Sequence, residues 1–212
     1  MNADLRSVPA FGGLDLAAKL DLTAFALAWP VEDLIYVHAW FWLPEEGLAE
    51  RCRRDNVRYD VWAKEGHLEL TPGNVTDWRF VTERIRRIRD VYPIAEIGFD
   101  RWGARDITAD LEADGFTCFE VGQGYGSMNA PARRLEELVL SGKLRHNGHP
   151  LLRWCLDCTT VRQDEAGNIK PVKPDRLKSS KRIDGIVALL MALSRAMQAD
   201  TSVPAVWSLE AA

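Results

Sequence analysis

The chemistry in this 212-residue sequence begins with Asp15 and Asp21. The run Phe11-Gly12-Gly13-Leu14-Asp15-Leu16 reads as a buried strand that carries one carboxylate to its end. A carboxylate within a sheet is disfavoured unless it is paired, hydrogen-bonded or bound to a metal, so Asp15 requires a partner. Asp21 is the nearest candidate. The link Lys19-Leu20-Asp21 leads into a second apolar run, Thr23 to Trp29, and a hairpin there returns Asp21 toward the end of the first strand. Asp100 closes another short strand, Ile94 to Phe99, and Asp184 falls in the first turn of a helix expected over Lys181 to Met197. That helix is apolar almost all round, so it must be buried, and the dipole that favours an acid at its start is worth too little to offset burial of a charge. Carboxylates gathered in this way repel each other unless cations hold them. Hard oxygen donors select Mg²⁺ or Mn²⁺, and two such ions can activate a water and stabilise the leaving oxygen of a phosphodiester.

The elements that must position these residues follow from periodicity. Leu34 to Leu43 is rich in β-branched and aromatic residues and reads as a third strand, which with the first two makes an antiparallel meander. A helix is expected from Glu45-Glu46 through Cys52, then a less regular region that ends in the apolar piece His67 to Leu70. Trp62 and His67 there read as packing and surface residues. Thr76-Asp77 caps an amphipathic helix with Trp78, Val81, Ile85 and Ile88 inward and Arg84, Arg86, Arg87 and Arg89 outward, a charged face that reads as solvated before it reads as DNA-binding. After the Asp100 strand, a helix from Asp106 to Ala113 and a strand from Phe116 to Val121 complete a strand-helix-strand unit. The glycine-punctuated loop Gly122 to Met128 then enters a helix expected at Pro131 to Leu140. It reads either as a lip beside a site or as a plain connection. The expected fold is α/β: a mixed sheet, antiparallel meander first and parallel strands afterwards, with helices on both faces.

With 47% hydrophobic residues the chain supports one sizeable core, and a formal net charge of −4 argues against coating nucleic acid by bulk electrostatics. Between Arg133 and Arg182, however, basic residues outnumber acidic ones two to one, which marks the surface for a polyanion. Thr160 to Arg162 and Ile169 to Val172 form a projecting hairpin there. The candidate DNA contacts are Lys170, Lys173, Lys178, Lys181 and Arg182. Cys52, Cys118, Cys155 and Cys158, with no leader and no membrane-spanning run, read as free thiols of a reducing compartment. His146, His149, Cys155 and Cys158 are spaced so that zinc is conceivable, but a buried helix using cysteine as a small apolar residue is the stronger reading. No phosphate-binding GxxxxGK[ST] loop occurs.

The set GLDLAAKLDLTA, EIGFDRWGA, QGYGSM, HPLLRWCL, GNIKPVKP and KSSKRIDGIVALLMAL, in this order, resembles the C-terminal nuclease domain of tailed-phage terminase large subunits, an RNase H-like fold. The resemblance runs from about Phe11 to Met197. It implies that Asp15, Asp100 and Asp184 are the metal-binding acids, that Asp21 is an auxiliary one, and that the domain cuts double-stranded DNA with two Mg²⁺ or Mn²⁺ ions and little sequence preference. The implied partners are DNA, an N-terminal ATPase domain, the portal and the small terminase subunit, in the host cell cytoplasm and without a membrane. The expected organisation is a single nuclease domain over 1–212, with a core of about 11–198, a tail over 199–212, and no ATPase domain. Three other readings share parts of the pattern: a Holliday-junction-resolvase-like nuclease, a sugar-kinase-like ATP-binding fold, for which the length is too short, and a non-catalytic DNA-gripping or motor-docking module.

Overall fold

The computed structural model describes residues 4–16, 22–100, 105–174 and 180–202. The first three strands are β1 (Ala10–Asp15), β2 (Thr23–Val31) and β3 (Leu34–Pro44), followed by α1 (Leu48–Asp55), α2 (Tyr59–Lys64) and β4 (Glu69–Thr71). Next come α3 (Trp78–Arg89), β5 (Ile94–Phe99), α4 (Arg105–Ala113) and β6 (Cys118–Glu120). The last third holds α5 (Tyr125–Leu140), β7 (Leu144–His146), α6 (Pro150–Asp157), the hairpin β8 (Thr160–Gln163) and β9 (Ile169–Val172), and α7 (Asp184–Ser202).

The sheet order is β4-β3-β2-β1-β5-β6, with β7 also on β3. β1, β2 and β3 pair antiparallel, whereas β5 on β1, β6 on β5, and β4 and β7 on β3 are parallel. β2 is central, so its apolar run is covered on both sides. Its alternate residues divide between two cores, Ala24, Ala26 and Ala28 toward α5, α6 and α7, and Phe25, Leu27 and Trp29 toward α3 and α4. The small alanines leave room for α7, which buries Ile186, Val187, Leu189, Leu190, Met191 and Leu193. Burial of each such side chain contributes about 1.5–3 kcal/mol. No helix among the described residues is long and apolar enough to cross a membrane.

Several elements depart from the sequence expectation. α5 begins at Tyr125, six residues before Pro131, which sits inside the helix with its ring buried. The proline had marked a helix start, but here packing offsets the hydrogen bond it cannot donate. The short helix α2 and strand β7 were not expected, because neither has a periodic pattern of its own; β7 is recruited by the open edge of β3, with Ile35 N–H donating to the Lys143 carbonyl at 3.0 Å. α7 begins at Asp184 rather than Lys181, and the Ile183 carbonyl accepts the first helical bonds from Ile186 and Val187. It runs on to Ser202, so the start of the expected 199–212 tail is helical; 203–212 lie outside the described residues.

The basic face of α3 is taken up within the chain. Arg84 pairs with Glu69 at 2.7 Å, Arg86 with Asp114 at 2.6 Å and Arg87 with Glu83 at 3.2 Å. Arg89 donates to the Asp114 carbonyl at 2.8 Å and lies over the Phe116 ring.

Candidate active site

Parallel pairing places two of the acids side by side. Gly13 lies opposite Gly98 and Leu14 opposite Phe99, so Asp15 at the end of β1 and Asp100 just past the end of β5 occupy the next matching positions. Side chains alternate along a strand. Leu14 and Phe99 enter the core under α3 and α4, so Asp15 and Asp100 belong to the opposite face, where α7 lies.

Glycines set the depth of α7. A Cβ on Gly13 would stand 1.9 Å from the Ala188 carbonyl oxygen, and one on Gly98 would stand 3.1 Å from that of Met191, so the helix backbone rests directly on β1 and β5. Asp184 precedes Ala188 by four residues, about 6 Å of helix, and Asp15 follows Gly13 by two residues, about 6.6 Å of strand. The two carboxylates therefore meet at the same end of the sheet. A Cβ on Gly185 would stand 2.7 Å from the Phe41 ring, which seats the first turn. At the other end Arg195 pairs with Glu96 at 2.7 Å and its guanidinium lies over Phe119, which fixes the helix along its length.

Electrostatics give this proximity a consequence. The carboxyl of Asp15 is held well above the usual carboxylate range, first by burial and then by the like charges of Asp184 and Asp100. Lys173, just past β9, and a hydrogen bond from Gln123 work in the opposite direction. Gln123 Nε2 donates to Asp15 Oδ1 at 3.3 Å. Asp184 is buried, Asp100 half-buried.

Of the nine residues singled out from sequence, Asp15, Asp100, Asp184 and Lys173 come together. Lys170 lies on the hairpin with its ammonium 4.7 Å from the Tyr125 ring centroid, and Lys181 is exposed. Arg182 does not reach the surface. Its guanidinium is buried against Asp55 at 3.2 Å, in a cluster with Tyr59 and Arg54, whereas Lys181 beside it is exposed. Asp21 and Lys178 lie outside the described residues. Gln123 was not singled out by sequence reasoning, although its loop had been read as a possible lip; the contact spans 108 positions and no local pattern signals it.

The zinc alternative finds no support in the placement of its residues. His149 Nδ1 accepts from Leu152 N–H at the start of α6, and burial together with His67 and His38 lowers its pKa to about 4. His146 is exposed, and Cys155 and Cys158 are buried free thiols. Among the described residues no three histidine, cysteine, aspartate or glutamate side chains already converge on one ion position. Three aspartates sharing one field without closing a cage suit an ion such as Mg²⁺, which keeps several waters and takes one or two carboxylates plus phosphate oxygens. The residues present fit that kind of ion.

Residues 3–200 match the model of the terminase large subunit, endonuclease domain, family. The chain belongs to that family. It is 39% identical over 189 residues to the terminase large subunit of Enterobacteria phage HK97, a match covering 88% of this chain and 37% of the phage protein. It is 31% identical over 198 residues to YmfN of Escherichia coli K12, covering 89% of this chain and 43% of YmfN. The crystal structure of the HK97 large terminase superposes with a TM-score of 0.82 at 37% identity, over 90% of this chain and 40% of that one. The large terminase nuclease of thermophilic phage G20c, crystallised with bound magnesium, shares the fold with a TM-score of 0.56 at 14% identity, over 89% of this chain and 82% of that one. The chain thus spans about two fifths of the length of the curated relatives it matches. Its mixed sheet with helices on both faces is the RNase H-like fold of terminase nucleases.

Proposed function

We propose that this terminase nuclease domain is a metal-dependent endodeoxyribonuclease that cuts double-stranded DNA during phage genome packaging, with little sequence preference. The observation that carries the reading is the convergence of Asp15, Asp100 and Asp184 at one end of the sheet, set by the β1–β5 register and the seating of α7, where the carboxylates oppose each other's ionisation. Such an arrangement is costly to a fold unless cations complete it. Asp15, Asp100 and Asp184 would hold two Mg²⁺ or Mn²⁺ ions, with Asp21 in support, and the G20c nuclease of the same fold holds magnesium. When bound, the ions supply an activated water and charge stabilisation at the leaving 3′ oxygen.

The remaining work falls to the chain. Asp15 accepts a hydrogen bond from Gln123, and α7, which carries Asp184 at its start, rests on Gly13 and Gly98. Lys173 places a positive charge beside the acids, where a scissile phosphate is drawn in. The β8–β9 hairpin is clamped to α5 through Asn129 Oδ1, which accepts from Ile169 N–H at 2.9 Å, and through Arg133, which donates to the Gly167 carbonyl at 2.7 Å. It presents Lys170 to the DNA backbone, a contact that positions a duplex without reading its sequence. Lys181 and Lys178 would extend that surface. In this reading residues 1–212 form one nuclease domain that works in the host cytoplasm with an ATPase domain, the portal and the small subunit.

The test is plasmid cleavage at low salt with Mn²⁺, with Mg²⁺ and with EDTA, comparing the native sequence with Asp15→Asn. Metal-dependent cutting of linear and circular duplexes that is lost in the variant is expected. Cutting unaffected by Asp15→Asn and EDTA would overturn the assignment.

A further inference from the structure

Gln123 sits in an unusual place for an exposed amide. β6 is separated from β1 by β5, yet the loop after β6 returns across β5 to touch Asp15. The loop is held at both ends. Val121 is buried, and its N–H donates to the Phe99 carbonyl at 2.8 Å, at the same strand end that leads to Asp100. On the far side Met128 N–H donates to the Gly124 carbonyl at 3.0 Å and Met128 is buried, so the first turn of α5 is fixed under the loop. Gly122 lies against Ser127, where a Cβ would come within 3.1 Å of the hydroxyl. The amide is therefore carried on a short segment tied to the sheet and to a helix.

A carboxylate beside two others has no reason of its own to choose a rotamer, since repulsion from Asp100 and Asp184 acts on both of its oxygens. A donor on one oxygen makes that choice. Gln123 Nε2 engages Oδ1 and leaves Oδ2 with its other directions open. A neutral amide does this without adding a cation that would compete with a metal. The helix that follows Gln123, α5, also anchors the hairpin through Tyr125, Asn129 and Arg133, so the loop with the orienting group and the proposed DNA-contacting element share one support.

We infer that Gln123 is a positioning residue that fixes the Asp15 carboxylate for divalent-ion binding. The inference rests on the nuclease reading above and adds a residue to it. Outer hydrogen-bond partners of metal ligands typically contribute 10–100-fold in metal affinity or activity.

The experiment follows the melting temperature of the domain against Mn²⁺ concentration, with cleavage kinetics alongside, for the native chain, Gln123→Ala and Gln123→Met. Methionine keeps the length and loses the donor. Both variants are expected to melt like the native chain in EDTA, since the side chain is exposed, and to need about tenfold more Mn²⁺ for half of the thermal shift. Cleavage should fall in kcat at low metal, recover at high metal, and keep the KM for DNA. Either variant showing native metal dependence overturns the role of the amide: Gln123→Met alone doing so would mean that the side chain merely fills the loop. A native chain with a thermal response to Mn²⁺ and unaltered variants overturns this inference alone. A native chain with neither metal response nor cleavage overturns it together with the nuclease reading.

Discussion

Gly13→Ala tests the geometry that brings Asp184 to Asp15. The new Cβ would stand 1.9 Å from the Ala188 carbonyl oxygen and 2.6 Å from the Ala192 nitrogen, both backbone atoms of α7 that no rotamer change can move. An ordinary contact begins near 3.4 Å, so the helix must retreat by about 1.5 Å. Overpacking of this kind costs roughly 1–3 kcal/mol, and the upper end applies because a whole helix shifts. For a chain of this size about 3 kcal/mol corresponds to a fall in Tm of roughly 6–12 °C. The retreat carries Asp184 with it, and misplacement of a reacting group by about 1 Å can cost 10²-fold in rate. Gly12→Ala is the internal comparison, because the nearest atoms to its Cβ would belong to the side chains of Phe25 and Ile97, at 3.0 and 3.1 Å, and a shift of a few tenths of an ångström there does not displace the backbone of α7. The assays are thermal melting and Mn²⁺-dependent plasmid cleavage on both variants. A Gly13→Ala domain that melts and cuts like the native one would refute the claim that helix backbone on glycine sets the site.

Asp15→Asn removes a half-buried acid opposed by Asp184 and Asp100, so in EDTA at neutral pH the variant should melt above the native domain and with Mn²⁺ below it; the same order in both buffers would contradict this. Arg182→Ala leaves Asp55 with Arg54 and Tyr59 as partners and should cost about 1.5–3 kcal/mol in urea unfolding, whereas an unchanged stability would contradict a stabilising Arg182–Asp55 pair. Burial pushes the Asp55 carboxyl up, but Arg54, Arg182 and Tyr59 outweigh it and its pKa is lowered. Its contribution to stability is thus present above the unfolded aspartate value, about 3.9, and lost as pH falls through the folded one, so Asp55→Asn should flatten the acid limb of urea midpoint against pH. Lys170→Ala should weaken DNA binding alike on all sequences and lower the slope of log K against log salt by about 1, measured by fluorescence anisotropy.

The strands and helices that hold the acids were legible because their patterns are local. β1 to β3, α3, β5 and the hairpin each carry a period or a turn signal long enough to name, and Asp15, Asp100 and Asp184 stand where strand ends and a helix start were expected. Elements whose cause is tertiary were not. β7 has two exposed polar side chains and exists through the edge of β3, and the start of α5 was hidden by Pro131, a helix breaker that packing keeps inside the helix. The partners of the basic residues were also not legible. Arg84, Arg86 and Arg182 look free in one dimension, but carboxylates 15, 28 and 127 positions away take them up. Gln123 was missed for the same reason: only the folding of the β6–α5 loop over β5 makes it a neighbour of Asp15.

Anomalous diffraction from crystals of the domain soaked in Mn²⁺ tests the central claim most directly, because it locates the ions without depending on turnover. The account predicts anomalous density between the carboxylates of Asp15, Asp100 and Asp184, lost in Asp15→Asn crystals. Density only elsewhere, or none at saturating Mn²⁺, would contradict it.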